Sequence, residues 1–232
     1  VSKEPVVGLG DGVFKDSQAI EYFSVAHNDE FTTIGAEAFM NSSLREVDLF
    51  DSVTTIGARA FAGCAQLEEL TLPDSLTTIG EGALDGLTGL KKLVIKCDPA
   101  LIPAGVFANM PNLSEVTIES GAVPAHMFAG SGVKALTLGE GVTEIGESAF
   151  ADTLLSAADL KHVTAIGAGA FANTAMTSVE LPQAAAIGEG AFEGSALESV
   201  RLSAAASVGE RAFANTKLKQ LVIPTAGSFP LS

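Results

Sequence analysis

Apolar side chains come at every second position in short bursts, and the bursts recur along the whole chain. The pairs are Phe23/Val25, Val47/Leu49, Leu70/Leu72, Leu93/Ile95 and Val116/Ile118, then Leu136/Leu138, Ala158/Leu160, Val179/Leu181, Val200/Leu202 and Leu221/Ile223. A period of two marks a strand with one face in a core and the other in solvent, so each burst predicts a short strand with these pairs pointing inward. Pro73, Pro182 and Pro224 directly follow three of the bursts. A residue with no N–H to donate fits a strand end.

A second pattern fills the space between bursts. The frame Ile166-Gly167-Ala168-Gly169-Ala170-Phe171-Ala172-Asn173-Thr174 returns at Ile187 to Ser195 and at Val208 to Thr216. Its large apolar residue is Phe14, Phe39, Phe61, Leu84, Phe107, Phe128, Phe150, Phe171, Phe192 and Phe213, at spacings of 21 to 25 residues. Five residues earlier stands a branched apolar residue in every copy, which predicts a short extended segment entering the core. Glycine follows it, replaced by Pro103 and Pro124 in two copies, and predicts a turn. Two residues after the Phe position only Gly, Asn or Asp occurs, the residues that tolerate a left-handed backbone, so a helical turn is expected to end there. One such copy cannot bury its own apolar side. Stacked copies can, with each strand pairing in parallel with its neighbours.

The stretch from Ile56 to Pro73 reads Ile-Gly-x-x-Ala-Phe-x-x-Cys-x-x-Leu-x-x-Leu-x-Leu-Pro. In this pattern, and in its copies from about Leu9 to Pro224, the chain resembles the BspA-like, or Treponema-type, leucine-rich repeat surface proteins of bacteria. The resemblance implies an α/β repeat solenoid, a leucine-rich repeat right-handed superhelix with a parallel β-sheet on one face and turns or short helices on the other. It places residues 1–232 in a single solenoid, with 1–30 as a divergent N-terminal repeat or cap and 225–232 as a C-terminal tail. It further implies an extracellular or cell-surface setting, with any signal peptide or anchor lying outside these 232 residues, and a role in adhesion to host matrix or host-cell proteins. The family has no catalytic residues to carry over. Leu84, Pro103, Pro124 and Ala158 depart from the pattern and predict a less regular middle.

Charge narrows the range of partners. Acidic residues outnumber basic ones, 28 to 13, for a net charge of −15. Nucleic acid and anionic membranes attract clusters of Lys and Arg, so neither is an expected partner. No run of about 18 apolar residues is present to insert in a bilayer. The two cysteines, Cys64 and Cys97, are too few for a disulfide framework or a four-ligand zinc site and read as small apolar fillers.

Catalytic and cofactor chemistry finds little material. His27, His126 and His162 fall in different copies. His27-Asn28-Asp29-Glu30 could be a metal cluster, but it sits in the longest connection and reads as a polar loop. No Gly-x-Ser-x-Gly elbow occurs. Gly8-Leu9-Gly10-Asp11-Gly12 lacks a following Lys-Ser/Thr and reads as a divergent first repeat. No catalytic residue, metal or cofactor is expected.

Function is therefore expected on the outward strand positions, the recognition face of horseshoe solenoids. The N-terminal half is richer in charge and carries the aromatics Tyr22 and Phe50, a residue type enriched at binding hot spots. The candidate surface is Tyr22, Ser24, Glu46, Asp48, Phe50, Glu69, Thr71, Lys92, Lys96 and Glu115, facing a protein ligand. The alternatives are a non-binding stalk or a self-associating display scaffold, and a carbohydrate-binding module. The last is opposed by a chain with one Tyr and no Trp, since sugar platforms favour aromatic faces.

Overall fold

The computed structural model describes residues 6–25, 28–184, 186–202 and 207–223. Among the described residues the chain winds into parallel β-solenoid coils with almost no helix. The chain divides into two compact units, Val1–Ile102 and Pro103–Ser232.

In the first unit the predicted bursts form strands Tyr22–Ser24, Glu46–Asp48, Glu69–Leu72 and Lys92–Ile95. Tyr22 lies opposite Glu46, and Glu69 opposite Lys92. A second parallel ladder joins the two-residue strands Gly8–Leu9, Thr33–Ile34, Thr55–Ile56 and Thr78–Ile79. In the second unit Glu115–Ser120 pairs with Ala135–Gly141, and Ser178–Leu181, Ser199–Leu202 and Gln220–Val222 form a three-stranded sheet. Its short ladder runs through Glu144–Ile145, Ala165–Ile166, Ala186–Ile187 and Ser207–Val208. Where Pro124 replaces the glycine, the ladder shrinks to a single bridge between Val123 and Ile145.

Between the two ladders of each unit runs a spine of rings. Phe14, Phe39 and Phe61 stack in the first unit with centroids 5.4 and 5.3 Å apart. Phe107, Phe128, Phe150, Phe171, Phe192 and Phe213 stack in the second at 5.2 to 5.8 Å, tilted by no more than 11°. Phe39, Phe61, Phe107, Phe128, Phe150, Phe171 and Phe192 are fully buried. Only the terminal rings Phe14 and Phe213 are half-exposed. Three residues after four of these rings sits a small hydroxyl. Ser131, Thr153, Thr174 and Ser195 are buried, and each donates to the carbonyl of the Phe three residues before it. Cys64 takes this place in its coil, and its thiol donates to the Phe39 carbonyl one coil earlier.

The other face carries turns, and among the described residues the only helical element is the 3-10 turn Pro99–Leu101. The expected short helices are absent for a backbone reason. The residue two after each Phe position is left-handed in all ten coils, as its composition predicted. The residue two before it is left-handed as well: Gly12, Glu37, Arg59, Gly82, Gly105, His126, Ser148, Gly169, Gly190 and Arg211. Three right-handed residues remain between the two, too few to close the four-residue bond of an α-helix. The amides take another route. Glu37, Phe39 and Asn41 donate to Ala58, Ala60 and Ala62 of the next coil, while Ala38, Met40 and Ser42 donate to Gly35, Glu37 and Phe39 within their own coil. The amides of residues 37–42 are thereby satisfied, and this face too joins one coil to the next.

Half of the earlier left-handed positions hold residues other than glycine. A left-handed conformation costs an L-residue roughly 1–2 kcal/mol, against which glycine adds back chain entropy in the unfolded state. The Ser148→Gly variant is expected to be more stable by about 0.5–1 kcal/mol, read as a higher urea midpoint at unchanged m.

Several inward assignments change. Leu136 and Leu138 are only half-buried, because the following coil forms no strand over residues 153–160, where Ala158 replaces a large apolar residue. Leu221 and Ile223 are 48% and 60% exposed rather than buried, since no later coil covers them among the described residues. Pro73 and Pro182 end their strands as expected, and Pro224 lies outside the described residues.

Candidate functional site

On the sheet face of the first unit the pleat turns Tyr22, Glu46, Asp48, Glu69 and Lys92 into solvent, while Val47, Leu70, Leu72, Leu93 and Ile95 are buried behind them. Tyr22 and Glu46 stand side by side, as do Ser24 and Asp48. Glu69 and Lys92 stand side by side one step along, with Nζ 3.9 Å from the carboxylate. Ser24, Thr71 and Lys96 are half-buried by their neighbours. Lys96 falls just past its strand, where its amide donates to Leu72 at 3.0 Å. Tyr22 is 54% exposed and Phe50 40% exposed.

Phe50 lies beyond the strand Glu46–Asp48, in the turn where its carbonyl accepts from Val53. There it lines a shallow pocket with Asn28, Asp29, Asp51 and Ser52. The outward alternation could not show this, because the pocket unites residues from two different connections. Glu115 belongs to the second unit, so nine of the ten candidate residues share the first unit. On that unit the face grades in charge: Glu46, Asp48 and Asp51 dominate around Tyr22 and Phe50, and Lys92 and Lys96 follow at the other side.

The turn face was not anticipated as a surface with its own chemistry. A shallow groove there is lined by Asp11, Glu37, Arg59 and Glu81. Glu37 bridges two coils, with Lys15 Nζ at 2.6 Å and Arg59 at 3.9 Å. The Glu37 carboxylate holds the Lys15 ammonium above its ordinary range by hydrogen bond and charge. The equivalent groove of the second unit is lined by Glu147, Asn173, Glu189 and Glu193, with Arg211 paired to Glu193. The signal in the sequence was the charged residue two before the Phe, which only the left-handed geometry turns outward.

Among the described residues no three His, Cys, Asp or Glu side chains converge as metal ligands, and no helix is long and apolar enough to cross a membrane. His27 lies outside the described residues. Cys64 and Cys97 are buried free thiols. Burial pushes both upward, Cys97 to about 11, which keeps them as neutral packing groups.

Parallel ladders, a stacked Phe spine and a 21-to-25-residue period define a leucine-rich repeat solenoid. The profile of the BspA type leucine-rich repeat region matches residues 8–123 and 121–229, and the chain belongs to that family. Among solved structures, a leucine-rich repeat protein from Bacteroides ovatus is similar at 24% identity and a TM-score of 0.62, over 95% of this chain and 59% of that one. A leucine-rich cell surface protein from Faecalibacterium prausnitzii is similar at 19% identity and a TM-score of 0.42, over 94% of this chain and 64% of that one. The pneumococcal vaccine antigen PcpA is similar at 22% identity and a TM-score of 0.44, over 93% of this chain and 59% of that one. This chain thus spans under two thirds of the length of these neighbours. No curated protein matches it. Folds of this kind generally serve as scaffolds for protein interaction, and the family is generally non-enzymatic.

Proposed function

We propose that this chain is a non-enzymatic binding module of a secreted or surface protein, and that it recognises a protein ligand, a host matrix or host-cell protein, through the sheet face of its first unit. The observation that carries this reading is the exposure of two aromatic rings, Tyr22 on the sheet and Phe50 in the turn just beyond it, among charged side chains. Aromatic side chains held on a preorganised backbone lose little entropy on binding, which makes them effective anchors. The charge grade from Glu46 and Asp48 to Lys92 and Lys96 would orient the partner. Membership of a family with a surface-protein relative supports the extracellular setting.

The test is a binding screen against matrix proteins and glycans, followed by the variant carrying Tyr22→Ala, Glu46→Ala, Phe50→Ala and Lys92→Ala together. Loss of at least a hundredfold in affinity at an unchanged melting temperature is expected. Undiminished binding by the variant moves the site elsewhere, and binding to glycans alone replaces the protein ligand with a carbohydrate.

A further inference from the structure

We propose that the pocket around Phe50 takes one cationic side chain, arginine or lysine, of the protein ligand. The inference rests on the reading of the first unit as the binding face and names what one part of that face recognises. The pocket is shallow, with a volume of about 350 Å³, and is lined by Asn28, Asp29, Phe50, Asp51 and Ser52. That is the lower end of the size of ligand sites, with room for a single side chain.

Comparison with the next coil shows what is unusual here. Phe50 directly follows the inward pair of its strand, and in that column every other coil has Pro, Lys, Glu, Gly, Ser or Ala. One coil on, the place belongs to Pro73, which is buried, whereas Phe50 is exposed. The turn does not need the ring. The Val53 amide donates to the Phe50 carbonyl at 3.1 Å, and the Leu76 amide donates to the Pro73 carbonyl at 3.3 Å in the same way. Ser52 and Ser75 are a second equivalent pair. Ser75 Oγ donates to the Val53 carbonyl of the coil before at 2.7 Å. The corresponding acceptor for Ser52 is the Glu30 carbonyl, yet Ser52 Oγ is buried and has no hydrogen-bond partner among the described residues. A buried hydroxyl left unpaired is costly, and a donor held in the pocket removes that cost. One χ1 rotation of Ser52 can bring its oxygen to such a donor.

Charge sets the class of occupant. Asp29 and Asp51 are exposed, and among the described residues no cation lines the pocket. Elsewhere on this unit outward carboxylates are compensated: Glu37 by Lys15, Glu68 by Lys91 and Glu69 by Lys92. Asp29 and Asp51 are in no ion pair among the described residues. Asn28 is already committed to the scaffold. Its Nδ2 donates to the Val6 carbonyl at 2.8 Å, and its Oδ1 accepts from the Glu30 amide at 3.2 Å, which fixes the connection that carries Asp29. A ring face attracts a cation through its quadrupole, and a carboxylate beside the ring adds charge-assisted hydrogen bonds. An anion would be repelled by both carboxylates, and an aliphatic side chain would desolvate them without return.

The test is a titration of the whole chain with acetyl-Gly-Arg-Gly-amide and with its lysine counterpart, followed by NMR at low salt. Saturable shifts are expected at Phe50, Asp51 and Ser52, weakened by added salt. Asp74 and Ser75, the same two places one coil on without a ring, should not move. The citrulline peptide, which keeps the shape of arginine and loses its charge, should not bind. Phe50→Leu should weaken binding by about fivefold at parental melting. Asp51→Asn and Ser52→Ala should each weaken it as well. Absence of saturable shifts overturns the proposal. So do equal shifts at Asp74 and Ser75, binding of the citrulline peptide, or undiminished affinity in Phe50→Leu. The two readings fail separately. A protein ligand whose binding ignores Phe50→Leu ends the pocket proposal alone. Binding of the cationic peptides with no protein ligand found in the screen ends the assignment to a partner's side chain and leaves a pocket for small cations.

Discussion

Replacing Phe171 with alanine destabilises the second unit by about 3–5 kcal/mol in urea titration. Phe171 is fully buried, with Phe150 at 5.5 Å and Phe192 at 5.3 Å on its two faces. Truncation removes one ring and leaves both neighbours facing a void. A solenoid transmits that loss poorly, because each coil touches only its neighbours. The void cannot be closed by sliding the coils together, since their spacing is held by ladders on both faces. The same change at Phe213, which among the described residues has a ring on one side only and is half-exposed, should cost clearly less. Equal and small costs at the two sites would mean that the ring column does not support the stack.

Gly167→Ala should be about as damaging, near 3 kcal/mol, although it adds a single methyl group. The new Cβ would lie 2.6 Å from the Glu147 nitrogen and 2.7 Å from the Gly146 carbonyl carbon, both backbone atoms of the coil before. Neither can move without lengthening the hydrogen bond that the Gly167 amide donates to the Ile145 carbonyl, now 2.8 Å. Gly35, Gly57, Gly188 and Gly209 meet similarly close backbone atoms. None of these residues adopts a left-handed backbone, so the glycine column is there for close approach and not, as its sequence context suggested, for a turn conformation. Gly10 is the internal control. It stands in the same column of the first coil, nothing lies within 4 Å of its added Cβ, and Gly10→Ala should be close to neutral by the same urea measurement. Matching losses at Gly10 and Gly167 would place the cause in backbone entropy instead.

Much of the fold could be read from residue type and spacing. The alternating bursts became strands, and the Gly, Asn and Asp column after the Phe became left-handed in all ten coils. The earlier left-handed column stayed hidden because Glu37, Arg59, His126, Ser148 and Arg211 carry no composition signal for it. Glu37, Arg59, His126 and Ser148 are held there by backbone hydrogen bonds to the next coil, a tertiary constraint that overrides local preference. Part of the candidate surface was legible in the same way. The pleat alone places Tyr22, Glu46 and Lys92 outward, whereas the pocket around Phe50 needs Asn28 and Asp51 brought together from separate connections.

By itself the sequence determined the repeat, the strand positions and the identity of the spine, because a period-two or period-21 pattern is a local property of the chain. Only the tertiary structure decided that the turn face is not helical, that the glycine column serves contact between backbones, and that Leu221 and Ile223 at the last coil remain exposed. Each of these depends on what the neighbouring coil supplies or withholds, and a coil's neighbour lies more than twenty residues away.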